Sequence, residues 1–209
     1  MVGGTLFTGL AWTDHIALSG IYTSNLGGGG LAFHPFGAGY TGLIVWTLEY
    51  DDNTGAVYAG TEIYDHPQPY NPPFFRSLTF GSTWQATAQL PWHAIDSDYS
   101  WFNGKLFVLT EGLGVYSSTN MGASWTAPAL SSGLGGTLLM DPKIQTRLFA
   151  GRQKAGTLNG GFFVSTNSGS SFVASGLSGV TVADIALNGS NNKVYAAAYA
   201  SGIYTAAIP

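Results

Sequence analysis

Five acidic residues could supply acid–base chemistry: Asp14, Glu62, Asp65, Asp96 and Glu111. A glycoside hydrolase needs two carboxyl groups about 5–10 Å apart, flanking the bond that it cleaves. The sequence does not fix the distance between any two of these residues. Their interpretation as solvated loop residues or strand-end caps is favoured on residue type alone.

The four histidines lie in or beside connecting segments: His15, His34, His66 and His93. Imidazole and carboxylate groups together suit several divalent metal ions. The chain has no close pair of the His-x-His kind, so solvated loop histidines are the favoured interpretation. The sequence therefore predicts neither a metal site nor a cofactor.

A binding surface makes weaker demands, because it needs aromatic side chains and a few well-placed polar groups. The residues predicted to form one are Trp12, His15, His66, Tyr70, Trp92, His93 and Arg152.

Composition narrows the function classes. The 209 residues carry a net charge of −4, only 9% are charged, and Lys and Arg do not cluster, which argues against nucleic-acid binding. There is no cysteine, so disulfides, thiol catalysis and Cys-ligated zinc are excluded. No apolar run is long enough for a transmembrane helix, and the first residues do not resemble a signal peptide. The uncharged, aromatic-rich composition is typical of exported β proteins, so we expect an extracellular or cell-surface location without membrane insertion.

The elements that must position these residues belong to a repeat. A short pattern of apolar, aromatic and small residues recurs five times, and a second pattern follows each copy. The aromatic anchors of the second pattern are 41 to 53 residues apart: Tyr22, Phe75, Tyr116, Phe163 and Tyr204. This period is typical of β-propeller blades. The segments are short, rich in Val, Ile, Tyr, Phe and Thr, and bounded by turn residues, which predicts strands.

Each repeat is predicted to contain four strands, numbered from the innermost to the outermost, except that the first unit lacks an innermost strand and the last unit lacks an outermost one. The outermost strands are expected at 31–36, 84–88, 125–129 and 172–175. The whole chain is predicted to be a single all-β propeller domain of about five blades, or part of a larger ring, with units at roughly 1–42, 43–92, 93–136, 137–179 and 180–209.

The turn that follows the second pattern has its own signature. Residues 118–125, Ser-Thr-Asn-Met-Gly-Ala-Ser-Trp, resemble the Asp-box Ser-x-Asp-x-Gly-x-x-Trp, and residues 165–172 match with Phe in the last position. Residues 77–84 keep the Ser, Gly and Trp, and residues 23–27 are a poorer copy. In such a turn a short polar side chain binds the backbone and Gly takes a positive φ, so a structural role is expected.

The chain therefore resembles the Asp-box (BNR) repeat propellers, among them sialidases, xyloglucan-cleaving hydrolases, sortilin-type receptors and photosystem II assembly factors. The resemblance implies the fold and says little about function. Sialidases of this kind hold the substrate carboxylate with three arginines and carry a Phe-Arg-Ile-Pro signature. This chain has only Arg76, Arg147 and Arg152, and no such signature, so sialidase activity is not expected.

Alternate connections of a propeller blade lie on opposite faces. The face that carries the blade-to-blade connections and the loops between second and third strands also carries the longest insertions, at 61–73 and 153–160. Variable loops are where function concentrates. We expect this loop face to bind a glycan or protein without catalysis. A polysaccharide-active glycoside hydrolase is one alternative. A structural subunit of a larger assembly, formed as a homo-oligomer through incomplete end blades, is the other.

Overall fold

A computed structural model describes residues 5–9, 19–25, 30–63, 73–130, 135–154, 159–190 and 192–208. The regular secondary structure of the described residues consists of β-strands. None of these residues forms a helix long and apolar enough to cross a membrane. The strands of the described residues, in chain order, are β1 (Thr5–Gly9), β2 (Gly20–Asn25), β3 (Ala32–Pro35), β4 (Leu43–Tyr50), β5 (Val57–Ile63), β6 (Phe75–Ser77), β7 (Gln85–Ala86), β8 (Ala94–Ser100), β9 (Lys105–Thr110), β10 (Gly114–Ser118), β11 (Gly136–Met140), β12 (Leu148–Arg152), β13 (Gly161–Ser165), β14 (Val173–Gly176), β15 (Val182–Asn188), β16 (Lys193–Ala198) and β17 (Gly202–Ala207).

These strands form five antiparallel meanders within the described part of the chain. Sheet 1 is β1–β3, sheet 2 is β4–β7, sheet 3 is β8–β10, sheet 4 is β11–β14 and sheet 5 is β15–β17. Sheets 2 and 4 have the predicted four strands, and sheet 3 has three regular strands where four were predicted. In sheet 3 the predicted outermost strand at 125–129 is not regular, although the amides of Thr126 and Ala129 still donate to Ser117 and Val115 of β10.

Consecutive sheets pack face to face, with β1 against β4, β4 against β8, β8 against β11, and β11 against β15. A separate apolar core fills each of the four spaces between neighbouring sheets. Among the described strands, sheets 1 and 5 make no comparable contact with each other.

The strand β9 shows why the second strand of a central sheet is rich in apolar residues. Its side chains alternate between two faces, as in any strand. Leu106 and Val108 enter the core between sheets 2 and 3, and Phe107 and Leu109 enter the core between sheets 3 and 4. Because both faces of the strand are buried, the alternating polar positions of a half-exposed strand are lost.

The turns at 77–84, 118–125 and 165–172, called here the Ser–Gly turns, share one geometry. In the second turn the Ser118 hydroxyl accepts the amides of Asn120 (3.2 Å) and Gly122 (2.9 Å), and the Asn120 side-chain oxygen accepts the Ser124 amide at 2.9 Å. The φ of Gly122 is +78° and that of Met121 is +56°, so the turn needs two successive left-handed residues. The other two turns repeat this pattern.

Candidate functional site

Two glutamates occupy the same register position in adjacent sheets. Glu62 follows Val57 by five residues in sheet 2, and Glu111 follows Leu106 by five residues in sheet 3. Val57 and Leu106 correspond because each pairs with the first Ser of a Ser–Gly turn. Since sheets 2 and 3 pack on each other, the two carboxylates are brought to the same end of the neighbouring sheets.

His93 lies between these two carboxylates. Its Nε2 is 2.5 Å from Oε2 of Glu111 and 3.8 Å from Oε1 of Glu62. The imidazole is buried. The backbone oxygen of His93 accepts the Glu111 amide at 3.1 Å, and this hydrogen bond holds His93 and Glu111 side by side at the end of sheet 3. Both carboxylates approach one nitrogen, so the two glutamate side chains lie close to each other. Glu62, His93 and Glu111 are called here the Glu–His–Glu cluster.

Two tryptophans complete the hydrogen bonding of the cluster. The indole N–H of Trp46 donates to Oε2 of Glu62 at 2.5 Å, and that of Trp92 donates to Oε2 of Glu111 at 3.4 Å. Trp46 is 55% exposed, and Trp92 lies beside the His93 ring with 5.7 Å between the ring centroids. The arrangement presents accessible indole surface next to fixed hydrogen-bond acceptors.

The electrostatics of the cluster favour an ionised Glu111. The hydrogen bond from His93 holds the pKa of Glu111 below its usual value, and this effect outweighs the opposing effect of burial. A carboxylate of this kind accepts hydrogen bonds at neutral pH and has no proton to donate.

Asp96 and Asp98 lie elsewhere, on the innermost strand of sheet 3. Oδ2 of Asp96 accepts the Leu138 amide at 2.7 Å, and Oδ2 of Asp98 accepts the Met140 amide at 2.5 Å. Both amides lie on β11, so the carboxylates satisfy backbone groups of the next sheet. Burial raises the pKa of both side chains, that of Asp98 to about 6. These hydrogen bonds join sheets 3 and 4, and they give Asp96 a structural role.

The structure thus brings four of the predicted site residues together: Glu62, Trp92, His93 and Glu111. Arg152 lies in sheet 4, where its Nε donates to the Asn159 carbonyl at 2.7 Å and its guanidinium covers the Phe163 ring. The remaining predicted residues lie outside the described part of the chain: Trp12, Asp14, His15, Asp65, His66 and Tyr70.

Trp46 is the member of the site that sequence reasoning missed. It stands inside the largely apolar strand β4, where no sequence motif distinguishes it. A β-bulge between Val45 and Thr47 shifts the register at this point, and the indole of Trp46 is left largely exposed. An irregular strand start of this kind has no clear sequence signal.

Within the described residues, no group of three His, Asp or Glu side chains has an arrangement that could hold a metal ion.

Comparisons with known proteins identify the fold. No family model matches the chain, and no curated protein matches it by sequence. Several solved structures do match. One is a GH74 enzyme of Niastella koreensis, with a TM-score of 0.71 and 18% identity over 99% of this chain and 34% of that one. The GH74 xyloglucanase from Xanthomonas campestris has a TM-score of 0.72 and 17% identity over 93% and 32%.

A third match is the extracellular domain of a two-component-system protein from B. thetaiotaomicron, with a TM-score of 0.69 and 15% identity over 98% of this chain and 26% of that one. The chain spans about a third or less of the length of these three structures. At such low identity the likeness concerns the fold alone. The chain is an all-β protein with a propeller-like arrangement of its sheets.

Proposed function

We propose that this chain is a non-catalytic, extracellular carbohydrate-binding propeller, and that the Glu–His–Glu cluster with Trp46 and Trp92 is its glycan-contacting surface. The observation that carries the proposal is the pairing of two indoles with two acceptor carboxylates around one buried imidazole. Sugar rings offer apolar C–H faces and hydroxyl donors, which match aromatic surface and fixed carboxylate oxygens respectively.

The lowered pKa of Glu111 does not fit the proton-donor role in glycoside hydrolysis. A glycosidase needs one carboxyl group that stays protonated until it reaches the leaving oxygen, and this requires a raised pKa. The pKa of Glu111 is lowered instead. The carboxyl groups of Asp96 and Asp98, whose pKa values are raised, are already engaged by backbone amides of β11.

We further propose that the Ser–Gly turns are Asp-box turns and that the repeats form about five blades of a single domain. In each of the three turns the Ser hydroxyl accepts the amide of the Gly, and the Asn or Thr side chain accepts a later amide of the turn. This shared hydrogen bonding supports the Asp-box assignment.

The proposed ligand is a β-glucan of the xyloglucan type. Its support is the fold likeness to the GH74 enzymes, one of which is described as a xyloglucanase, together with the uncharged and aromatic character of the chain.

Calorimetric titration with xyloglucan oligosaccharides tests the proposal. We expect saturable binding, and Trp46→Ala and Trp92→Ala should each weaken it by about 1–3 kcal/mol, the usual contribution of an anchoring aromatic residue. Trp101→Ala is the matched control, because Trp101 is similarly exposed (50%) but follows the opposite end of β8. Equal affinity in all three variants would refute the site, and no heat with any glucan would refute the ligand class.

Glycoside hydrolysis is the second candidate, and the approach of Glu62 and Glu111 to one imidazole nitrogen favours it, because a hydrolase needs two neighbouring carboxyl groups. Release of reducing ends from xyloglucan would be the assay. If the chain is a hydrolase, Glu62→Gln and Glu111→Gln should each abolish the release while the fold is retained. The binding proposal predicts no release by the wild-type protein.

A further inference from the structure

Gln153 is the counterpart of Glu111 in the next sheet. Each of the two residues directly follows the second strand of its sheet, β9 or β12. In sheet 3 the carbonyl of His93 accepts the Glu111 amide at 3.1 Å, and in sheet 4 the carbonyl of Gly135 accepts the Gln153 amide at 3.2 Å. These equivalent hydrogen bonds close the same end of the two sheets, so Gln153 has the position in sheet 4 that Glu111 has in sheet 3.

Sheets 3 and 4 are in close contact at this end. The strand β11 packs against both β8 and β9. A Cβ atom on Gly136 would lie 3.3 Å from the side chain of Leu109, two residues before Glu111. Sheets that pack face to face are about 10 Å apart, so Gln153 stands about one such spacing from Glu111. Together with Glu62 on sheet 2, these two residues form a row across sheets 2, 3 and 4.

The side chain of Gln153 is placed by the glycine beside it. A Cβ atom on Gly135 would lie 2.3 Å from Oε1 of Gln153, and the φ of Gly135 is +67°, a conformation that favours glycine. Sheet 3 carries the imidazole of His93 at the equivalent position, whereas sheet 4 has the side chain of Gln153 there. Gln153 is exposed, and its amide offers a ligand both a hydrogen-bond donor and an acceptor.

The polar groups of the row differ in a way that suits a chain of sugars. The ionised Glu111 only accepts hydrogen bonds, while the Gln153 amide also donates them to a hydroxyl or ring oxygen. One sugar ring at the Glu–His–Glu cluster does not extend to the next sheet, but a chain of several sugars does. A row of polar side chains on successive sheets therefore favours a long ligand over a short one.

We propose that Gln153 is a further glycan-binding residue, and that the surface recognises a chain of several sugars lying across sheets 2, 3 and 4. The inference rests on the proposed function, because it extends the surface formed by the Glu–His–Glu cluster with Trp46 and Trp92. Gln153 binds the part of the chain that has passed beyond the cluster. It therefore determines the preference for ligand length.

Calorimetric titration with a disaccharide and a hexasaccharide of β-glucan tests this inference. The wild-type protein should bind the hexasaccharide more tightly than the disaccharide. Gln153→Ala should weaken hexasaccharide binding by about three- to tenfold, the effect of one lost hydrogen bond, and leave disaccharide binding unchanged. Gln153→Glu keeps an acceptor at the same position, so it should retain more of the hexasaccharide affinity than Gln153→Ala does.

Two control variants make the outcomes distinguishable. Gln85→Ala is the matched control, because Gln85 is also exposed but lies on β7, the outermost strand of sheet 2, and its loss should change neither affinity. Trp46→Ala should weaken the binding of both oligosaccharides. Circular dichroism confirms that each variant folds.

The result for Gln153 separates this inference from the proposed function. If Trp46→Ala weakens binding while Gln153→Ala binds the hexasaccharide as the wild type does, the role of Gln153 is refuted and the glycan surface stands. Equal loss of both affinities in Gln153→Ala would also refute a role in chain length. If neither oligosaccharide binds the wild type, the proposed function fails and this inference fails with it.

Discussion

Replacing Trp125 by Ala should lower the free energy of unfolding by about 3 kcal/mol. The side chain is half-buried, packs edge-on to Phe74 and donates its indole N–H to the Ala88 carbonyl at 2.8 Å. Truncation of a packed aromatic residue to Ala costs about 3–5 kcal/mol, and partial exposure places this site at the lower end. Urea denaturation followed by far-ultraviolet circular dichroism measures the change without depending on tryptophan fluorescence.

Two further variants separate the contributions. Trp125→Phe keeps a ring against Phe74 and loses the hydrogen bond, so about 1 kcal/mol should be lost. Trp101→Ala removes a side chain that is 50% exposed and should change stability by less than about 1 kcal/mol. A loss below about 1 kcal/mol in Trp125→Ala would show that the Ser–Gly turn does not anchor sheet 3 on sheet 2.

Three other perturbations follow from the same geometry. Gly169→Ala should cost about 2 kcal/mol or more in urea denaturation, because φ is +70° and the new Cβ would lie 2.4 Å from Phe107; wild-type stability would contradict the assigned turn. Ser118→Ala should cost about 1–3 kcal/mol by the same assay, since two turn amides lose their acceptor. Raising the pH from about 4 to 6 should lower the free energy of unfolding, because the pKa of Asp98 is about 6 in the folded protein and lower in the unfolded chain. Asp98→Asn should reduce that fall, and an unchanged dependence of stability on pH would exclude Asp98 as its source.

The sequence was informative about the fold because the repeat has strong local signals. The Ser–Gly turns carry their hydrogen bonds within eight residues, so their geometry follows from residue types and spacing alone. The second strands of sheets 2, 3 and 4 are also predictable, because burial on both faces favours a run of apolar residues, as in β9. The segment at 125–129 was predicted to be a strand. It is irregular because only some of its amides reach β10.

The candidate site was only partly predictable. Glu62, His93 and Glu111 are far apart in sequence, and their meeting depends on the packing of sheet 2 on sheet 3. Their positions in the sequence could not give the distances between their side chains. Trp46 was missed because a bulge exposes a side chain that the apolar pattern of β4 predicts as buried. Asp96 was one of five candidate catalytic residues, and its backbone partner on β11 is visible only in three dimensions.

The most direct measurement of the central claim is a nuclear magnetic resonance titration that follows the indole N–H signals of the six tryptophans with increasing xyloglucan oligosaccharide. The indoles of Trp46 and Trp92 donate to the two carboxylates of the Glu–His–Glu cluster. Their signals should therefore shift progressively to saturation, while those of Trp101 and Trp125 stay in place. Unchanged signals from Trp46 and Trp92 at saturating glycan would contradict the assignment of this surface as the glycan-binding site.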